Sequence, residues 1–166
     1  MLLAGPPDGG VKPGGVYDDA LIELRDVMPT LLEVAGLPVP DTVEGQSFLP
    51  IARGEPPAAW RTHLHGEHVR DDESIQWLTD THQKYVWFSG SGREQLFDLT
   101  ADPHELHDLA RSGHDVASML SPWRRILMDE LEGREEGFTD GERLIPGRPV
   151  HPCLSHIREQ DGYPLA

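Results

Sequence analysis

Lys84-Tyr85-Val86-Trp87-Phe88-Ser89-Gly90-Ser91-Gly92-Arg93-Glu94-Gln95-Leu96-Phe97-Asp98, running on to Leu99-Thr100-Ala101-Asp102-Pro103-His104-Glu105, reads as two strands, a tight turn and a capped corner. Lys84 to Ser89 and Glu94 to Asp98 have strand length and are rich in Tyr, Val, Trp and Phe, with Gly90-Ser91-Gly92 between them as the hairpin turn. Asp102-Pro103, with Glu105 three positions after Asp102, is a turn in which Asp102 accepts from backbone N–H groups beyond it. Carboxylates and imidazoles crowd between Asp98 and Leu109, and a structural role in this turn outweighs a chemical one for them.

Two more period-two runs precede this hairpin, Thr62 to Glu67 and Ser74 to Thr79, so four runs in a short span predict an antiparallel meander. Upstream, residues 37–60 are broken by Pro and Gly, and Ser47 to Ile51 can make at most one helical turn. Before them the spacing changes to a helical one. Asp26 as N-cap, Pro29 in the first turn, Val27, Leu31, Val34 and Ala35 on one face and Gly36 as terminator predict a short amphipathic helix over 26–35. Residues 5–15 are a Gly- and Pro-rich loop, and Leu2 to Ala4 has the character of a buried strand end. Downstream, Ser121 as N-cap, Pro122 at the first helical position and the stripe Trp123, Ile126, Leu127, Leu131 predict a helix over 121–132, closed by Gly133. Residues 134–166 are polar and turn-rich, as expected of an extended tail.

The chain has 166 residues, with 29 acidic against 14 basic side chains, a formal charge of −15. The excess is spread along the length, which argues against nucleic acid as the main partner. Gly and Pro together are 32 of the 166 residues, below the share of a low-complexity disordered chain and in keeping with a loop-rich fold around one modest core. The apolar run at the start is four residues long and lacks a basic flank, so neither a signal peptide nor a membrane span is expected there.

Three groups of residues invite a chemical reading. His63, His65 and His68, with Glu67 among them, are of the types that ligate zinc, yet on a strand residues 63 and 65 point to one face and residue 68 to the other. A pocket-edge role for His65, Glu67 or His68, hydrogen-bonding a polar ligand, and a purely structural role stand beside the zinc reading. Cys153 is the only cysteine; Pro152-Cys153-Leu154-Ser155-His156 offers it a single neighbour, His156, to lower its pKa, which favours an inert thiol. Phosphate-binding loops, dinucleotide fingerprints, H-E-x-x-H and G-x-S-x-G are all missing. No complete catalytic set stands in this chain.

Taken in order, the segments resemble the C-terminal portion of the sulfatases, the formylglycine-dependent sulfuric ester hydrolases of the alkaline-phosphatase-like superfamily. Asp26-Val27-Met28-Pro29-Thr30-Leu31-Leu32-Glu33-Val34-Ala35-Gly36-Leu37-Pro38 resembles that family's D-x-x-P-T-L-L-x-x-A-G-x-P helix, and Gly45-Gln46-Ser47-Phe48-Leu49-Pro50 its G-x-S-L-x-P segment. Lys84-Tyr85-Val86 followed by Glu94 to Glu105 is similar to K-Y-I and E-x-L-Y-D-L-x-x-D-P-x-E, and His107-Asp108-Leu109 stands where x-N-L is common. Order and spacing agree over about residues 2–132.

The resemblance implies an α+β chain: a small antiparallel sheet with a packed C-terminal helix, an N-terminal helix and long loops, together the C-terminal part of a sulfatase-type α/β fold. It implies three regions: residues 1–60 as a remnant of the main domain, 61–133 as the sheet and helix subdomain, and 134–166 as the tail. It implies a parent activity of organic sulfate ester hydrolysis, with calcium and formylglycine supplied by the full-length parent and no cofactor, catalytic residue or metal ligand in this chain. Cys153 lacks the Pro and Arg of the family's C-x-P-x-R motif and is not that nucleophile. A fragment inactive by itself is the expectation; a non-catalytic module completing a separate partner, or a piece of a phosphonate or phosphate monoester hydrolase, are the alternatives. The implied ligand of the intact enzyme is a sulfated small molecule or carbohydrate, with neither nucleic acid nor membrane as partner. Self-association through the tail is left open, and the compartment is not indicated.

Overall fold

Strand-forming residues generate one four-stranded sheet in the order β1 (Leu64–Arg70), β2 (Glu73–Thr79), β3 (Gln83–Phe88), β4 (Glu94–Asp98), with burial alternating along β2. A computed structural model describes residues 5, 9–11, 14–70, 73–111, 113 and 115–150. The strand end expected at Leu2 to Ala4, Cys153 and the tail from 151 onward lie outside the described residues. The chain divides into two units, Met1–Leu64 and His65–Ala166.

In the second unit β2 pairs antiparallel with β3, and β3 with β4. Leu78 faces Tyr85, Gln76 faces Trp87, and these two face Leu96 and Glu94 in turn, so all six side chains share one side of the sheet. The turn between β3 and β4 closes with Gly92 at φ 71°, a left-handed conformation that glycine adopts freely, and with Phe88 N donating to Arg93 O at 2.9 Å.

The first unit carries α1 (Val27–Val34) and α2 (Leu49–Arg53), and in the second unit α3 (Val116–Glu130) packs on the sheet. Leu120, Trp123 and Leu127 recur at helical spacing on α3 and are buried with Leu131 against Leu78, Tyr85, Trp87 and Leu96. Trp123 stacks with Tyr85 at 6.5 Å, and its Nε1 donates to Gln83 Oε1 at 2.9 Å. This helix begins earlier than the 121–132 expected from Ser121 and Pro122, and Pro122 lies inside it. Val116, Met119 and Leu120 already fall on the apolar stripe, and burying them outweighs the one hydrogen bond that proline cannot donate. Beyond Gly133 the chain returns to the core. Phe138 is fully buried and meets Trp87 edge-on at 5.6 Å, while Gly147 N donates to Ser89 O at 2.8 Å.

In the first unit a 3-10 turn, Leu24–Asp26, leads into α1. Asp26 does not cap α1 with its side chain. Its fully buried carboxylate accepts from Glu23 N and Gln46 N, both at 2.9 Å, and from both terminal nitrogens of Arg61 at 2.5 and 2.6 Å. Thr30 Oγ1 donates to Asp26 O at 2.6 Å and accepts from Phe48 N at 3.1 Å. Gly45 lets the two backbones meet: a Cβ there would stand 2.0 Å from Arg25 O. These bonds decide which side of α1 is covered. Pro29 and Thr30 face the 46–51 segment, and the side expected to be the apolar contact is exposed, with Leu31 60% and Val34 57% accessible.

Candidate functional site

His65 and Glu67 meet on one face of the sheet, around a glutamine that sequence patterns did not single out. Gln76 is fully buried on β2. Its Nε2 donates to Ser74 Oγ at 2.6 Å and to Glu67 Oε2 at 3.2 Å, so its Oε1, 2.7 Å from His65 Nε2, is an acceptor. His65 Nε2 therefore carries a proton, and its Nδ1 faces Glu130 Oε2 at 3.8 Å from the C-terminal end of α3. Arg134 closes the cluster, with Nη1 2.8 Å from Glu67 Oε2 and Nη2 2.9 Å from Glu136 Oε1.

Burial pushes the Glu67 carboxyl up, but the bonds from Arg134 and Gln76 win and hold it below its ordinary value. Arg134 is raised by the bond it donates to Glu136, partly offset by burial, and further by Glu67. The cluster thus keeps a carboxylate, a guanidinium and an oriented imidazole at the edge of the sheet. It contains hydrogen-bonding and charge-pairing groups but no activated nucleophile, since Ser74 and Ser89 are buried and bonded to neighbours. Such groups are able to hydrogen-bond and orient a polar ligand. Replacing Arg134 by Met is expected to move the Glu67 titration upward toward the ordinary carboxylate range, read by carbon NMR of the side-chain carboxyl. A titration that does not move would show that Arg134 is not what holds it.

His68 is not part of this cluster. It is exposed, and strand alternation puts it on the side of Gly66, where a Cβ would stand 2.0 Å from the Trp77 ring. His63, His65 and His68 do not converge, and among the described residues no three His, Cys, Asp or Glu side chains are grouped to hold a metal ion. The acidic and imidazole run from Asp98 to Leu109 is occupied in structural bonds. Asp98 Oδ1 accepts from Thr100 N and Ala101 N, Asp102 Oδ2 from His107 N at 2.7 Å, and Asp108 Oδ1 from Leu96 N and Ala110 N. Glu105 pairs with Lys84 Nζ through both oxygens, at 3.1 and 2.8 Å. Gln76 and Arg134 had no sequence signal of their own. The alternation of β2 placed residue 76 on the buried side, but nothing local marks a buried amide as a hub.

Residues 2–128 match the family described as "N-sulphoglucosamine sulphohydrolase, C-terminal". The chain belongs to this family of sulfatase C-terminal regions. An arylsulfatase of Clostridium perfringens (strain 13 / Type A) is 46% identical over 147 residues, covering 89% of this chain and 30% of that relative. The multifunctional alkaline phosphatase superfamily protein PehA of Trinickia caryophylli is 35% identical over 138 residues, 70% of this chain and 27% of its own length. Among solved structures a 2-O GAG sulfatase superposes with a TM-score of 0.71 at 25% identity, over 90% of this chain and 34% of that one. This sulfatase C-terminal region thus spans about a third of the proteins it matches. The family match includes β1, β2 and the Asp98 to Leu109 turn and stops short of Arg134. Calcium and formylglycine, which the sulfatase resemblance implies for a full-length parent, find no fitting donor set among the described residues.

Proposed function

We propose that this chain is the C-terminal portion of an enzyme that hydrolyses organic sulfate esters, and that the isolated 166 residues turn over no aryl sulfate. The observation that carries this reading is the uncovered side of α1. Leu24, Met28, Leu31, Val34 and Leu37 are all more than half exposed in the segment that carries the family's Pro-Thr helix motif. A stripe of this kind on a soluble protein calls for a cover, and the relatives contain about three times as much chain to supply it. Residues 1–60 then belong to the main α/β domain, 61–133 form the C-terminal subdomain, and His65 and Glu67 are pocket-edge residues toward a sulfated small molecule or carbohydrate, while His68, on the other side of the strand, is left out of that edge. Calcium and formylglycine belong to the part of the enzyme outside this chain.

The test is a pair of assays. The purified chain with an aryl sulfate and calcium should give no turnover, whereas a chimera in which it replaces the matching region of the Clostridium perfringens arylsulfatase should be soluble and active. Turnover by the chain alone, lost on substituting one of its own residues, would overturn the fragment reading. Similarity to the Trinickia caryophylli protein favours a second reading, a phosphonate or phosphate monoester hydrolase of the same superfamily. Genomic sequence upstream of Met1 separates the fragment from a free-standing module. An in-frame C-x-P-x-R supports the enzyme, and a stop codon with a ribosome site supports the module.

A further inference from the structure

His65 is joined to Arg134 by a run of hydrogen bonds in which each member fixes the polarity of the next. Arg134 Nη1, 2.8 Å from Glu67 Oε2, helps keep that carboxyl ionised against the effect of burial, and an ionised carboxylate only accepts. The Gln76 amide therefore turns its nitrogen toward Glu67, 3.2 Å away, because the flipped amide would set oxygen against oxygen. Ser74 Oγ, 2.6 Å from the same nitrogen, can serve either orientation, so the carboxylate decides. Gln76 Oε1 is left to His65 Nε2 at 2.7 Å, and the proton of the neutral imidazole sits on Nε2. Nδ1 keeps its lone pair. That atom lies 3.8 Å from Glu130 Oε2, beyond hydrogen-bond reach, on a side chain that is 15% exposed.

We infer that Gln76 is a positioning residue: it fixes His65 as an acceptor at the pocket edge, so that the ligand group met there is a hydrogen-bond donor, a hydroxyl or an ammonium, and not the sulfate. The charges of the cluster point the same way. Glu67, Glu130 and Glu136 supply three carboxylates against the single guanidinium of Arg134, which is itself engaged by Glu67 and Glu136. An anion brought to Nδ1 would meet a lone pair and a surplus of negative charge, whereas a donor is attracted by both. The edge then reads a donor neighbouring the ester while the sulfate is held elsewhere. The identity of the ligand rests on the enzymatic reading; the orientation of His65 does not.

Nitrogen NMR spectra of the full chain in mildly alkaline solution should show His65 as the Nε2–H tautomer. Gln76→Met removes its acceptor, and Glu67→Met, at an exposed position, removes the carboxylate that turns the amide. Both should bring the Nδ1–H form into the spectrum, and a pure Nε2–H form in either folded variant would overturn the positioning role. The second measurement uses the chimera with the Clostridium perfringens arylsulfatase and three aryl sulfates carrying a methyl, hydroxymethyl or aminomethyl group beside the ester. A donor should lower KM about fivefold relative to methyl at similar kcat, as one hydrogen bond would, and Gln76→Met should abolish the difference. The hydroxymethyl and aminomethyl compounds tell a neutral donor from a charged one. Equal KM values for all three in the parent chimera would overturn the donor assignment. A chimera inactive toward all three, with the tautomer responding as expected, would instead overturn the enzymatic reading.

Discussion

Asp26→Ala is expected to remove about 3–5 kcal/mol from the stability of the first unit, the cost of breaking a buried ion pair from one side. The carboxylate is fully buried and takes four bonds, two from backbone amides and two from Arg61, whose side chain is itself only 13% exposed. The variant leaves the amides of Glu23 and Gln46 without their acceptor in a dry site, where each unmet group costs about 1–3 kcal/mol, and leaves Arg61 with only Glu23 Oε1, 3.3 Å away, as a carboxylate partner. Adding Arg61→Met should restore part of the loss, because the guanidinium that has lost its two-bond partner then disappears. Hydrogen exchange of the α1 amides and urea unfolding followed through Trp60, whose Nε1 donates to Leu21 O at 2.8 Å, report on this unit. A loss below about 1 kcal/mol would mean that water reaches the site and that the pair is a surface one.

The same carboxylate sets an acid limit. Burial raises its pKa, but Arg61 and the two amides outweigh that and hold it below the ordinary value. A carboxylate with a depressed folded pKa contributes stability that is complete above its unfolded pKa, about 3.9, and is lost as the pH falls through the folded value. The first unit should therefore loosen below about pH 4, and Asp26→Ala should flatten that dependence.

What could be read from the sequence, and what could not, divides along the range of the interactions involved. The meander was legible because strand alternation, the Gly90-Ser91-Gly92 turn and the Asp102 cap are all local, and the observed strands fall within three residues of the expected ones. The start of α3 was misplaced because Pro122 is a strong local signal, whereas the burial of Leu120 is decided by the distant Tyr85 and Leu96. On α1, helical spacing picked out a real apolar stripe. Its orientation, however, depends on Asp26 bonding to Gln46 and Arg61, 20 and 35 positions away. At the candidate site His65 and Glu67 could be named from one strand. Gln76 and Arg134 complete the cluster only after β2 and the segment following α3 have folded beside it.

Phe138→Ala should cost the sheet and helix unit about 3–5 kcal/mol, the range for deleting a buried aromatic ring. Nothing in the surrounding Gly137 to Pro149 marks that residue as core, since the run is polar and broken by Gly and Pro. Yet Phe138 is fully buried, its ring meets Trp87 at an interplanar angle of 77°, and Ile145 N returns a bond to Phe138 O at 2.8 Å. The segment therefore folds back as a strap over the end of the sheet, and the ring is what fastens it. Two contributions can be separated. Phe138→Leu keeps most of the apolar area and loses the edge-to-face geometry. A double-mutant cycle with Trp87→Leu should then give a coupling of about 0.5–1.5 kcal/mol, the usual worth of an aromatic pair beyond its burial. The rest of the alanine effect is cavity and transfer energy, and it should appear in the urea midpoint of the whole unit, because Trp87 also belongs to the cluster under α3. If Phe138→Ala left that midpoint within about 1 kcal/mol of the parent, residues 134–150 would be an independent flap. In that case the 142–146 loop would not be held in place by the core.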